Sequence, residues 1–205
     1  MLLVLLCREK DFKEFGQAKV FSELLTDLKE LEENGITMGD ELLKMIENAR
    51  ISASSRNNQS VRFALVDSKY LCDKIFPLTN WAGSISWNPS KEEAPHAYIA
   101  LCLPNDIPIN KCLLYFDMGV ASQSILLTAV EMGYGGCILG SFNKNEVHDI
   151  LNIPQNYDCE ILIALGEPNE ISTVVDAVNG DIKYYRDKEK RHQYVPKLPL
   201  NELIL

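Results

Sequence analysis

A run of hydroxyl and amide side chains follows an amphipathic segment that ends at Arg50. Residues 52–60, "SASSRNNQS", hold four serines, two asparagines, a glutamine and an arginine, without glycine or proline. These groups are mostly neutral donors and acceptors, which suit a ligand rich in carbonyls, ring nitrogens and hydroxyls, with a phosphate for the arginine. Alternatively, the run is a solvated loop whose side chains bond to local backbone. Composition alone favours the solvated loop.

The usual catalytic motifs are missing. The three histidines, His96, His148 and His192, are far apart and form neither HExxH nor HxH. There is no GxSxG elbow, P-loop or GxGxxG fingerprint. The glycine-rich "GYGGCILG" (133–140) instead indicates close packing between a helix end and a strand.

Bulk properties indicate a soluble, cytoplasmic protein. The 205 residues carry 20 basic and 29 acidic side chains, and the net charge of −9 disfavours nucleic acid and anionic membranes as partners. Six cysteines are scattered singly, which predicts free thiols in a reducing compartment. "MLLVLLC" has no basic leader, so it predicts the start of a core helix rather than a signal peptide. No other segment approaches the roughly 18 apolar residues that cross a membrane.

Hydrophobic periodicity predicts the elements that position the polar run. Ser22 caps a first helix that ends at Asn34-Gly35, and Thr37 or Asp40 opens a second. The second helix has one apolar face, formed by Leu42, Leu43, Ile46 and Ala49. Residues 61–66 predict a strand directly after the run.

Downstream, apolar runs predict buried strands and a long helix. "AYIALCL" (97–103) predicts a central strand covered on both faces, and residues 116–132 predict a core or interface helix. "GGCILG" follows as a short strand, and Asn143 with Glu146 begins a small helix by a capping-box-like arrangement. "CEILIALGEP" predicts the last buried strand. No repeat or linker divides residues 1–205, which predicts one α+β domain with an irregular tail.

Four segments in order resemble the nitroreductase family. "ARISASSRNNQSVRF" resembles the family's AR-x-AP-S-xx-N-x-QPW-x-F, with matches at Ala49, Arg50, Ser54, Asn57, Gln59 and Phe63. "APHAYI", "FDMGVASQSILLTAVEMGYGGCILGSF" and "ILIALGEP" follow in the family's order. The tail "IKYYRDKEKRHQYVPKLPLNEL" is similar to a subfamily ending Tyr-Tyr-Arg-Asp … His … Val-Pro-Lys-Arg … Leu. The resemblance covers roughly residues 40–205.

The resemblance implies an FMN-dependent oxidoreductase with a three-layer α+β fold, whose central, mainly antiparallel sheet is flanked by helices. It also implies an intertwined homodimer with two flavin sites at the subunit interface. The apolar helix would then form the dimer seam, and residues of about 180–205 would form an arm on the partner. The missing catalytic motifs are expected in such a protein, because the cofactor carries the chemistry.

The resemblance also implies the site residues. Ser54 and Ser55 would contact the flavin, and Asn57 and Gln59 would serve the site, in part across the dimer. The family's backbone amide facing flavin N5 falls at Leu139, followed by Gly140, and Lys197 lies in the tail motif that binds phosphate.

The chain departs from the family where FMN phosphate is held. The N-terminal motif aligns either with Glu9, Asp11, Lys13 and Phe15 or with Leu25, Asp27, Lys29 and Leu31, and both lack the first Arg and the Ser. In the tail, Leu198 replaces the second arginine. After the glutamine, Ser60 and Val61 replace Pro and Trp. The cations that could substitute are Lys13 or Lys29, Arg56, Arg186, Arg191 and Lys197.

Three functions follow from this pattern. The leading one passes hydride from NAD(P)H through FMN to a small acceptor, such as a nitroaromatic or quinone, by ping-pong kinetics. The second is a protein that binds a flavin or another planar ligand without turnover, and the third is a dimeric interaction protein without a ligand. Trp81 and Trp87 either line the acceptor side or cover a core edge.

Overall fold

The computed structural model describes residues 2–3, 38–81, 83, 87–106, 108–187 and 189–205. Within these residues the main sheet has five strands, and every neighbouring pair is antiparallel. In spatial order the strands are β1 (Leu2–Leu3), β4 (Gly135–Leu139), β5 (Tyr157–Gly166), β3 (Ala97–Pro104) and β2 (Arg62–Val66). The helix expected after Ser22 and both alignments of the N-terminal phosphate motif lie outside the described residues.

Helices cover both faces of this sheet. Helices α1 (Met38–Arg50) and α3 (Lys111–Glu131) pack on one face, and α2 (Lys69–Ile75) and α4 (Lys144–Ile150) lie on the other. The predicted three-layer α+β arrangement is confirmed.

The strand predicted from "AYIALCL" is buried on both faces. Alternate side chains of β3 enter the two cores, because successive residues of a strand point to opposite faces. Ile99 and Leu101 pack with α1 and α3, whereas Tyr98 and Ala100 pack with α2 and α4. This alternation explains why the strand is apolar at nearly every position.

The glycine-rich segment lets α3 approach β4 closely. A side chain at Gly136 would collide with Leu126 of α3. This contact confirms the predicted close packing between a helix and a strand. By length and composition α3 is also a candidate membrane span, but half of its apolar stretch is buried inside the protein.

The prediction of an irregular tail after a last strand was wrong. A second, three-stranded sheet has the order β6 (Ile171–Asp176), β8 (His192–Lys197) and β7 (Tyr185–Asp187), with β6 and β8 parallel. A short helix, α5 (Leu200–Leu203), follows. Polar or charged residues interrupt all three strands, "ISTVVD", "YRD" and "HQYVPK", so none of them has a continuous apolar run.

Predictions at three helices had different outcomes. At the N-terminus a helix was expected, but Leu2–Leu3 is a strand that pairs with β4. In α1, Leu43 was expected on the buried face but is 56% exposed, because its neighbour Leu42 points into the core. Helix α3 begins earlier than expected, at Lys111, where the Asn110 side chain accepts a hydrogen bond from the Cys112 N–H.

The start of α4 follows the prediction. The Asn143 side chain accepts a hydrogen bond from the Glu146 backbone N–H at 3.3 Å. Its side-chain amide also donates to the Glu146 carboxylate. The cap by Asn143 is therefore confirmed, but the second bond of a capping box is absent, because the Asn143 backbone N–H donates to the Leu78 carbonyl at 2.9 Å.

Candidate functional site

A buried carboxylate anchors the polar run to the core helix. Asp117 lies on α3 and is only 3% exposed. Its Oδ1 accepts hydrogen bonds from the Ser55 backbone N–H at 2.7 Å and from the Ser55 hydroxyl at 2.8 Å. Its Oδ2 is buried and has no hydrogen-bond partner among the described residues. Asp117 therefore fixes the loop of residues 52–60 to α3, and the loop is not freely solvated.

A second polar contact fixes the beginning of the loop. The Ser52 hydroxyl bonds to the Ser124 hydroxyl of α3 at 2.6 Å and donates to the Asn48 carbonyl at 2.9 Å. One turn earlier, the buried Asn48 amide donates to the Thr128 hydroxyl at 2.9 Å. These bonds form a polar seam between α1 and α3 that leads into the loop.

The loop backbone adopts left-handed conformations without glycine. Arg56, Asn57 and Gln59 have φ values of 53°, 56° and 50°. Asparagine tolerates this region, whereas for Arg and Gln it costs about 1–2 kcal/mol each. Backbone bonds to Ser54 and Ser55 hold the turn, including Asn57 N–H to the Ser54 carbonyl at 2.9 Å. Such strain persists only where the surroundings impose it, and it clusters at ligand sites.

The loop presents its amide side chains to solvent. Asn57 and Gln59 are exposed, and the Gln59 side chain makes only a long contact, 3.4 Å, to the Asn57 carbonyl. Below them, the Arg62 guanidinium donates to the Gln59 carbonyl at 2.6 Å. The loop is thus stabilised from beneath, and its outer surface keeps donors and acceptors for a ligand.

The predicted backbone contact at the end of β4 is open to approach. The Leu139 side chain is buried, whereas Gly140 is exposed and no atom lies within 4 Å of where its side chain would be. A planar ligand could therefore reach this backbone without meeting a side chain at Gly140.

Within one chain, the loop and the end of β4 are at the same end of the sheet but not adjacent. Leu139 lies beside Leu162 of β5, and the register continues across β3 to Ala64 of β2. Strands β5 and β3 separate β4 from β2. Three strand spacings of about 4.8 Å place β4 and β2 about 14 Å apart.

The tail cations differ in availability. Lys197 is exposed at the end of β8, and the neighbouring Leu198 is half-buried. Arg186 is ion-paired with Glu170, and its guanidinium lies over the Trp87 ring at 4.4 Å. Burial raises the pKa of Glu170, and Arg186 opposes that rise. Arg186 therefore has a structural partner, whereas Lys197, Arg56 and Arg191 point to solvent.

The tryptophans have structural contacts. The indole N–H of Trp81 donates to the Thr79 hydroxyl at 2.8 Å, and its ring packs against the core beneath α2 and α4. Trp87 stacks under Arg186. The core-edge role is therefore the one with contacts in this structure.

Sequence reasoning missed Asp117 and the Asn48–Thr128 bond. One feature could have indicated Asp117: it is an acidic residue inside the otherwise apolar stretch "FDMGVA" of a predicted core helix. Buried carboxylates require hydrogen-bond partners, and the nearest unexplained donors were the serines of the loop.

Comparisons with known proteins agree on the fold. Residues 33–167 match the model of the nitroreductase family. A nitroreductase family protein from Clostridium novyi NT is 27% identical, with a TM-score of 0.52 over 65% of this chain and 76% of that chain. One from Streptococcus pneumoniae TIGR4 is 17% identical, with a TM-score of 0.59 over 83% and 90%. An FMN-dependent nitroreductase from Clostridium difficile R20291 is 19% identical, with a TM-score of 0.55 over 71% and 83%. No curated protein matches the sequence significantly.

Proposed function

Because the chain belongs to the nitroreductase family, we propose that it is an FMN-dependent oxidoreductase that passes hydride from NAD(P)H to a small acceptor, such as a nitroaromatic or quinone. The observation that carries the proposal is the loop of residues 52–60. Asp117 fixes it from beneath, and its strained backbone leaves Asn57 and Gln59 exposed. The family and the FMN-dependent relative from C. difficile support a flavin oxidoreductase in general.

The groups present fit a flavin. Bound FMN would supply the two-electron hydride chemistry. The transfer would therefore need no acid or base from the protein. Ser54, Asn57 and Gln59 would donate to and accept from its ring edge and ribityl hydroxyls without adding charge. The backbone at Leu139 and Gly140 would orient the ring, since the space beside Gly140 is open.

A second copy of the chain would complete each site. The loop and Gly140 of one chain emerge about 14 Å apart, so we infer that a flavin contacts the loop of one subunit and β4 of the other. Phe116 on α3 is 67% exposed and Leu203 in the tail is 63% exposed. Such apolar side chains are suited to an interface. In this proposal α3 forms part of the dimer seam, and residues of about 180–205 pack on the partner.

The phosphate end of the cofactor would be held weakly. Of the tail cations, Lys197 and Arg191 remain available, with Arg56 as a further donor in the loop. Both donors of Ser55 already bond to Asp117. Leu198 contributes no charge, and Arg186 is engaged by Glu170.

We place the enzyme in the cytoplasm. The five cysteines in the described residues are free thiols, in keeping with a reducing compartment. The apolar helix α3 packs on the main sheet rather than standing apart from it.

A second candidate is a nitroreductase-like protein that binds a flavin without turnover. The half-buried Leu198 and the ion-paired Arg186 favour it, because both weaken the site for a phosphorylated cofactor. The two candidates differ in whether NAD(P)H reduces the bound flavin.

The test combines flavin binding with reduction. We expect Asn57→Ala and Gln59→Ala each to weaken FMN about 2- to 13-fold, since a neutral hydrogen bond contributes about 0.5–1.5 kcal/mol. Asn58→Ala is the matched control, because Asn58 is equally exposed in the same loop. Fluorescence titration gives the affinities, and unchanged FMN binding in the double variant would contradict a flavin role for the loop.

Anaerobic mixing with NADH or NADPH decides between the candidates. Bleaching of the yellow flavin, followed by recovery with a quinone and parallel double-reciprocal plots, is the result expected for a ping-pong oxidoreductase. A yellow protein that neither nucleotide bleaches would be a binding protein. A dimer without flavin affinity would be an interaction protein.

A further inference from the structure

A β-bulge places two cysteines opposite each other in the main sheet. The pairing of β3 with β5 shifts by one residue, so that Leu101 pairs with Ile161 but Cys102 pairs with Cys159. The extra residue is Glu160. Without this bulge Cys102 would lie opposite Glu160, and Cys159 would point to the other face, because side chains alternate along a strand.

The bulge is held from outside the sheet. Glu160 forms an ion pair with Lys144 of α4 and accepts a hydrogen bond from the Tyr115 hydroxyl of α3 at 3.1 Å. Both contacts are made by the side chain of Glu160, the extra residue of the bulge. Contacts between β5, α3 and α4 therefore fix the strand register that places the two thiols opposite each other.

The two thiols face the same core. Cys102 and Cys159 are each 3% exposed and pack in one buried cluster. Opposed residues of antiparallel strands have Cα atoms about 4.5–5.5 Å apart. Disulfides span Cα separations of about 4.4–6.8 Å, so a bond between these sulfurs requires little backbone movement.

We propose that Cys102 and Cys159 are a redox-active dithiol that a hydroperoxide oxidises to a cross-strand disulfide. The Cys102 thiolate attacks one peroxide oxygen, breaking the O–O bond and giving a sulfenic acid and hydroxide. The Cys159 thiol then attacks the Cys102 sulfur, the S–O bond breaks and water leaves. In total two thiols and one hydrogen peroxide give a disulfide and two waters, and two electrons pass from sulfur to oxygen.

The environment assigns the order of the two cysteines. The hydrogen bond from the Cys159 thiol lowers the pKa of Cys102, and the same bond, with burial, raises the pKa of Cys159. Because the thiolate is the nucleophile, these directions support Cys102 as the first cysteine to react and Cys159 as the resolving one, and the Cys159→Ala variant below tests that order. Cys159 is the third residue of β5, and Cys102 is two residues before the end of β3. Fraying of these strand ends admits a small oxidant.

The other described cysteines lack this arrangement. Cys72 donates to the His96 carbonyl at 3.3 Å, and Cys137 lies opposite Ala164. Cys112 is exposed at the start of α3 and serves as a control for unselective oxidation.

The test is peptide mapping of the full-length protein after treatment with hydrogen peroxide, with and without subsequent dithiothreitol. We expect a peptide pair joined through Cys102 and Cys159, a mass loss of two hydrogens, and reversal by the reductant. The linkage should persist in Cys112→Ser. In Cys159→Ala, Cys102 should stop at a sulfenic acid that dimedone traps. Mapping of the unmutated protein does not depend on the folding of any variant. Oxidation of Cys112 while Cys102 and Cys159 stay reduced would overturn the proposal.

Discussion

The anchor between Asp117 and the loop can be measured as a coupling energy. Asp117→Ala removes two hydrogen bonds to a charged acceptor, which together contribute about 3–6 kcal/mol. Two effects offset part of this loss. Ser55 is half-buried and can bond to water, and removing the unpartnered Oδ2 relieves a burial cost of about 1–3 kcal/mol. We therefore expect the free energy of unfolding to fall by about 2–3 kcal/mol.

A double-mutant cycle isolates the hydroxyl bond. Ser55→Ala removes only the hydroxyl contact and should cost about 1–2 kcal/mol, whereas the backbone N–H still donates to Asp117. Combined with Asp117→Ala, the same bond is lost only once, so the double variant should lose about 1–2 kcal/mol less than the sum. Urea unfolding of the four proteins gives the cycle.

Asp117→Asn is the conservative control. It keeps an acceptor oxygen in a side chain of the same shape, so its stability should lie between those of the unmutated protein and Asp117→Ala. Additivity of Ser55→Ala and Asp117→Ala within about 0.3–0.5 kcal/mol would refute the anchor as the source of the loop's order.

Three further predictions concern the assembly, the phosphate end and one tyrosine. Light scattering at micromolar concentration should give a dimer, and a mass near 23.1 kDa would contradict the shared flavin sites. Leu198→Arg should tighten FMN and leave riboflavin unchanged in paired titrations; equal tightening of both would show that the arginine acts away from the phosphate. Burial and the hydrogen bond to Glu41 raise the pKa of Tyr134 to about 12, so its contribution to stability is complete below the unfolded pKa of about 10 and is lost as pH rises to about 12. Tyr134→Phe should flatten that alkaline loss in unfolding measurements, and an unchanged slope would argue against this tyrosine.

The parts of the fold that the sequence predicts are those with continuous apolar patterns. The strand at 97–103 and the body of α3 follow from burial on several sides. The predicted burial of Leu43 was wrong because two adjacent leucines of a helix cannot both face one core, and periodicity does not say which one does. The start of α3 depends on Asn110, a single capping side chain in a polar segment.

The sequence did not predict the second sheet because its central strand contains a proline. Pro196 lies inside β8, the central strand of three, where proline normally argues against a strand. Strand β7 pairs only with residues 192–194 of β8. At Pro196 the neighbour is therefore β6 alone, and no ladder bond on the β7 side requires its missing N–H. This short partner strand is a tertiary feature that local sequence does not encode.

At the candidate site, residue types were predictable and geometry was not. The hydroxyl and amide content of residues 52–60 indicates a polar surface, and the resemblance supplies the register. The left-handed conformation of Arg56 and Gln59 has no local sequence cause, because neither residue favours it. The adjacent Ser55 is held by Asp117, about sixty residues away along the chain, which no local pattern reveals.

The central strand of the main sheet, β5, is also the last of its five strands to be synthesised. Its neighbour β3 ends at Pro104, and β5 ends at Gly166, 62 residues later (166 minus 104). At about 5–20 residues per second, β3 spends about 3–12 seconds on the ribosome without its partner on that side. During this interval its apolar residues can pair with another nascent chain. We therefore expect slower translation between these two strands to lengthen the time during which the emerging chain is open to aggregation.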